Sequence, residues 1–219
     1  MTDNIEFKHI FLPSNLMSIT RIILAPIIIL IMISDSHNAD RIALLVLIIA
    51  GITDFLDGFL ARKLNQVTKL GLILDPLADK ILAIFLIVAL VVIRDFPLWL
   101  VLLVIGRDIL IVLAGLFVMG KRDAVPASDI IGKYYFGALA HLMGSYMVSF
   151  SFGQSLMFTF TLIFFVFSTI NYATAFITFV KHGKPYYLFK GRVVVFIVRA
   201  LAIVLLPIFY YKLIIFLFL

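Results

Sequence analysis

Four aspartates, Asp54, Asp57, Asp75 and Asp79, stand within DFLDGFLARKLNQVTKLGLILDPLAD, residues 54–79 of a 219-residue chain that is 64% hydrophobic. Carboxylates gathered in an apolar setting lose hydration and repel one another. Without compensation they take up protons. Oxygen ligands suit hard divalent cations such as Mg²⁺, Mn²⁺ and Ca²⁺, and four acids suffice for two ions sharing a bridging carboxylate. Successive helical residues advance by about 100°. Asp57, Gly58, Ala61 and Arg62 therefore share one face with Asp54. Gly71, Asp75 and Asp79 follow one another at i, i+4 on the next helix. An antiparallel pair of helices would turn both stripes toward one cavity. Gly58, Ala61 and Gly71 leave room there for a flat or bulky ligand, and Arg62 offers a planar fork to a phosphate. Against this, a single acid at a helix end is usually solvated, and Asp75 before Pro76 reads equally as an N-cap with proline in the first turn.

The elements that must position these residues follow from composition. The chain is only 14% charged, where soluble domains carry about a quarter, and its mean hydropathy is +1.20. A spanning helix needs about 20 mostly apolar residues. Runs near 16–33, 41–61, 72–93, 97–119, 131–150 and 155–180 meet that need. A seventh, 192–218, is interrupted by Arg199, Pro207 and Lys212 and reads as spanning or partly interfacial. The fold class expected is all-α and integral to a membrane. A core domain over 1–190 holds six transmembrane helices, and an additional apolar segment over 191–219 packs on or beside it. Phe7, Ile10 and Phe11 beside Lys8 suggest a short N-terminal interfacial helix. The first 15 residues carry both charge signs and no long apolar run, so no cleavable signal peptide is expected.

Orientation follows the lysine and arginine bias. With the N-terminus inside, inner segments hold eleven such residues and outer segments three, Arg41, Arg94 and Lys212. The aspartates then lie at the cytosolic end of the second and third spans. The net charge of +6 suits anionic lipid. No basic stripe lies on a soluble face, so nucleic acid is not an expected partner. With no cysteine, disulfides and thiolate metal sites are excluded.

The pattern Asp54-x₂-Asp57-Gly58-x₂-Ala61-Arg62-x₈-Gly71-x₃-Asp75-x₃-Asp79 resembles the signature of the CDP-alcohol phosphotransferases (CDP-alcohol phosphatidyltransferases). Eight fixed positions make it far more specific than a lone glycine loop. The resemblance implies a six-helix core that transfers a phospho-alcohol group from a CDP-linked donor to an acceptor hydroxyl and releases CMP. It implies that Asp54, Asp57 and Asp75 bind two divalent cations, Mg²⁺ or Mn²⁺. Asp79 would lie at the same metal site and act as general base. Gly58 and Ala61 would make room for cytidine, Arg62 would meet the diphosphate, and Gly71 would line the nucleotide pocket. Family members often form homodimers.

Within the family, LPSNLMSITRIILAPI resembles the opening of phosphatidylglycerophosphate synthases and of the related cardiolipin synthases, through Pro13, Asn15, Leu16, Thr20, Arg21 and Pro26. The implied donor is CDP-diacylglycerol. The acceptor expected first is glycerol 3-phosphate, with Arg107, Arg122 and Lys133 as candidate acceptor-binding residues. Arg107 inside the fourth span demands a partner, and adjacent Asp108 is displaced by about 100° on a helix. Gly132-Lys133-Tyr134-Tyr135-Phe136 lacks the second lysine and the threonine common in phosphatidylglycerophosphate synthases. That keeps phosphatidylglycerol as the alternative acceptor, which would give cardiolipin. His141 is expected to bond a neighbouring helix.

Two other classes compete. A cation channel or transporter would spread its acids through the membrane depth, whereas these gather near one end beside an arginine that repels cations. A structural scaffold has no use for the cluster. Metal-dependent CMP release separates the enzyme from both.

Overall fold

The computed structural model describes residues 12–34, 36, 38–63, 69–119, 130–183, 186–189 and 191–218; within the helices, the side chains at 13–14, 53–73, 75–76 and 118–119 fall outside that description. The described residues form helices and no strand. These are α1 (Pro13–Ile33), α2 (Ala39–Lys63), α3 (Lys69–Ile93), α4 (Leu98–Met119), α5 (Ile130–Met147), α6 (Ser151–His182) and α7 (Arg192–Phe218). Each expected apolar run is thus helical. The expected N-terminal interfacial helix lies outside the described residues.

Among the described residues, four helices are long and apolar enough to cross a membrane, at Asn15–Ile33, Leu98–Phe117, Ser151–His182 and Arg192–Phe218. The protein is an integral membrane protein. The seventh run, despite its interruptions, is one 27-residue helix. At 1.5 Å per residue it reaches about 40 Å, more than the ~30 Å hydrocarbon core of a bilayer. Pro207 lies inside it, as Pro26 lies inside α1. Each removes one backbone donor, a loss that membrane helices tolerate where neighbouring groups satisfy the freed carbonyl.

Contacts divide the chain into two compact units, Met1–Phe96 and Pro97–Leu219. In the first, α1 packs extensively on both α2 and α3. Pro13 opens α1 in its first turn, where its missing N–H costs nothing. Ala25 and Ile28 of α1 are buried with Ala39, Ala43 and Ala50 of α2 and with Ala78, Ala89 and Leu90 of α3. Small residues let apolar helices approach closely, which supplies the packing that water would otherwise drive. Arg94, just past α3, pairs with Asp40 in the first turn of α2. That contact joins the start of α2 to the end of α3, so the two run antiparallel.

In the second unit α5 and α6 form the main pair. Their connection turns sharply at Ser149, whose φ of 57° is left-handed, and Phe150 N–H donates to Ser145 O at 2.8 Å. Only glycine fits at position 153, because a Cβ there would lie 2.4 Å from Phe150 Cδ1 and 2.5 Å from Ser145 Oγ. Helix α6 ends at Gly183, with φ 70° and its N–H bonded to Phe179 O, the usual left-handed cap. Residues 186–189 lie back against α6. Tyr186 N–H donates to Thr178 Oγ1 and Phe189 N–H to Asn171 Oδ1, each at 2.9 Å. Helix α7 docks through Phe209, which stacks edge-on to Phe150 and His141.

Candidate active site

Asp54, Asp57, Gly58, Ala61 and Arg62 occupy the last stretch of α2, and Gly71, Asp75 and Asp79 the first stretch of α3. The backbone is helical through both, so the i, i+3 and i, i+4 spacings hold on the helices themselves. Helix α3 starts at Lys69. Asp75 therefore lies inside it, and the reading of Asp75 as an N-cap is overturned. The side chains of Asp54, Asp57, Gly58, Ala61, Arg62, Gly71 and Asp75 lie outside the described residues.

Asp79 is described, and it shows what the sequence reading missed. Its carboxylate Oδ1 is bonded by Nη1 of Arg21 from α1. The arginine side chain is 1% exposed and that of Asp79 58%. Arg21 Nη2 also donates to Ser18 Oγ at 3.3 Å. Asn15 and Ser18 are fully buried. Asn15, Ser18 and Arg21 recur at three-residue intervals, one polar stripe on an otherwise apolar helix. That stripe was the available signal, since an apolar helix has no other reason to bury three polar side chains at helical spacing.

In the second unit, Arg107 of α4 is 6% exposed. Its partner is Asp108 after all. The long arginine stem spans the angular offset, and Nη1 donates to Asp108 Oδ1 at 2.8 Å. Nη2 donates to Ser168 Oγ of α6 at 2.6 Å. The guanidinium carbon lies 5.0 Å from the Tyr135 ring centroid, 5.8 Å from that of Phe136 and 5.2 Å from that of Tyr172, distances at which cation–π attraction operates. Nε is buried without a hydrogen-bond partner among the described residues. Arg107 lines a cavity of about 850 Å³ between α4 and α6, walled largely by Leu, Ile, Phe and Ala side chains together with Tyr172 and Tyr187. Lys133 is exposed on α5. Arg122 lies outside the described residues. His141 bonds its neighbours as expected. Its Nδ1 meets Gly137 O and its Nε2 meets Tyr210 Oη of α7, both at 2.7 Å.

Among the described residues, no three histidine or acidic side chains converge to hold a metal. The donor set on α2 and α3 is nonetheless all carboxylate in a chain without cysteine, which suits a hard divalent cation.

Comparison with known proteins gives the same family as the eight-position pattern. The CDP-alcohol phosphatidyltransferase profile matches residues 11–170. The chain is 40% identical over 123 residues to the CDP-diacylglycerol–glycerol-3-phosphate 3-phosphatidyltransferase of Aquifex aeolicus, covering 55% of this chain and 66% of that protein. It is 41% identical over 122 residues to the cardiolipin synthase (CMP-forming) of Homo sapiens, covering 55% and 39%. It is 35% identical over 134 residues to the Bacillus subtilis CDP-diacylglycerol–glycerol-3-phosphate 3-phosphatidyltransferase, covering 54% and 67%. The matched stretch thus spans between 39% and 67% of these relatives' own lengths. With the profile running through α2 and α3, where all eight signature positions stand, the chain belongs to the CDP-alcohol phosphatidyltransferase family.

Proposed function

We propose that the protein transfers a phosphatidyl group from CDP-diacylglycerol to glycerol 3-phosphate, forming phosphatidylglycerophosphate and CMP. The observation that carries this is the complete signature, held in helical register on α2 and α3 within the family match. The relatives from Aquifex aeolicus and Bacillus subtilis carry that activity in their names.

Two divalent cations, Mg²⁺ or Mn²⁺, held by Asp54, Asp57 and Asp75 with Asp79 beside them, would neutralise the donor diphosphate and stabilise the leaving CMP oxygen. Arg62 meets the diphosphate, while Gly58, Ala61 and Gly71 leave room for the cytidine. Asp79 accepts the proton of the acceptor hydroxyl. That oxygen forms a new bond to the phosphorus bearing the diacylglycerol, and the bond from this phosphorus to the bridging oxygen breaks. Arg107 receives the acceptor phosphate, assisted by Lys133 and Arg122. The place of Arg107 on the wall of the cavity supports this, because a guanidinium there offers charge to an anionic oxygen. The site faces the cytosol of an inner membrane on the charge bias of the loops, and the protein works as a homodimer.

A second reading, transfer to phosphatidylglycerol to give cardiolipin, is favoured by the largely apolar cavity beside Arg107 and by the human relative. The purified protein, supplied with CDP-diacylglycerol and Mg²⁺ or Mn²⁺, separates the readings. CMP release with glycerol 3-phosphate supports the first, and release only with phosphatidylglycerol supports the second. No CMP release with either acceptor sinks both.

A further inference from the structure

We propose that Arg21 of α1 is a positioning residue for Asp79, holding that carboxylate where the acceptor hydroxyl arrives. The inference rests on the transferase reading above. Its structural basis is the contact itself: the Nη1 group of Arg21 donates to Oδ1 of Asp79 across the packed α1–α3 pair.

The asymmetry of burial points to this role. The Arg21 side chain is 1% exposed, whereas Asp79 is 58% exposed. The protein has buried the arginine to reach the aspartate, rather than burying the aspartate to serve the arginine. An ion pair with one member open to solvent is a weak source of stability, worth about 0–1 kcal/mol. Helix α1 is otherwise largely apolar, yet it places a guanidinium against a signature carboxylate. The guanidinium is itself held: Nη2 bonds Ser18 Oγ at 3.3 Å, and Ser18 is fully buried on the same stripe. A guanidinium that bridges Ser18 and Asp79 from a packed helix restrains the carboxylate it bonds. Positioning matters because a displacement of about 1 Å at a reacting group can cost about 100-fold in rate.

The test compares full-length wild type with Arg21→Gln, Arg21→Lys, Asp79→Asn and the double variant Arg21→Gln/Asp79→Asn. Infrared difference spectra against Asp79→Asn assign the Asp79 carboxylate stretch without any turnover. That band should shift in Arg21→Gln. In CMP release, Arg21→Gln should lower kcat by about 100-fold while KM for CDP-diacylglycerol and the affinity for CDP stay within about threefold. Arg21→Lys keeps the charge but loses the fork, and should recover about tenfold of the loss. The double variant should be no worse than Asp79→Asn alone, because residues acting as a unit are non-additive. An Asp79 band that does not move in Arg21→Gln overturns the proposal, as does a kcat within about threefold of wild type. Loss of kcat, CDP affinity and thermal stability together, without rescue by lysine, also overturns it by making Arg21 a structural residue. A wild type that releases no CMP sinks the transferase reading instead, and the infrared result on the pairing is read separately from it.

Discussion

At the scale of single residues, two of the described candidate side chains, Asp79 and Arg107, are arranged in opposite ways. Asp79 is open and held by a buried arginine, which leaves a carboxylate accessible for proton transfer. Arg107 is buried and surrounded by a carboxylate, a hydroxyl and three aromatic rings, and its Nε has no hydrogen-bond partner among the described residues. Removing a general base costs about 10²–10⁴-fold. If Asp79 is that base, Asp79→Asn should lower CMP release by at least about 100-fold while its far-ultraviolet dichroism stays near wild type. Full activity in that variant would remove Asp79 from the chemistry. Arg107→Lys keeps the charge but cannot make both Nη bonds in one plane. Its KM for the acceptor should rise about tenfold or more, with KM for CDP-diacylglycerol little changed. An unchanged acceptor KM would leave Arg107 a purely structural tie between α4 and α6.

At the scale of elements, packing of small and polar residues holds the helices where lipid cannot drive association. Of the described glycines, Gly153 has the least room for a side chain. An added methyl would meet Phe150 and Ser145 well inside van der Waals contact, and overpacking costs about 1–3 kcal/mol. Gly153→Ala should lower the melting temperature by several degrees, whereas Gly137→Ala, inside α5 where a Cβ meets nothing within 4 Å, should leave it unchanged or raise it. Equal melting of the two variants would contradict the α5–α6 turn. Tyr210→Phe deletes the hydroxyl that meets His141 across α5 and α7. A hydrogen bond between membrane helices is worth about 0.6 kcal/mol on average. The variant should therefore lose a small, measurable increment of stability in detergent unfolding while keeping the seventh helix in place.

At the scale of the whole molecule, membrane residence and family chemistry meet. Four helices qualify as spans by length and composition among the described residues, and the exposed side chains of α4 and α7 are dominated by Leu, Ile, Val and Phe, a surface suited to lipid. If the carboxylates on α2 and α3 hold divalent ions, a chelator should abolish CMP release and added Mg²⁺ or Mn²⁺ should restore it. Activity that persists after exhaustive chelation would contradict the metal assignment.

The sequence alone determined the helices and the signature. Both are local: hydrophobic runs set helix length in a bilayer, and i, i+3 and i, i+4 spacing sets which residues share a face. The seven helices among the described residues were legible that way to within a few residues, even α7 with Pro207 inside it. Only the tertiary structure decided which side chains meet. It brought Arg21 to Asp79 across 58 positions of sequence, brought Ser168 to Arg107 across 61 and gave His141 a partner on α7. Such pairings depend on how neighbouring helices rotate and slide against one another. Periodicity identifies a helix's faces, but the packing of small residues in three dimensions determines which face each neighbour touches.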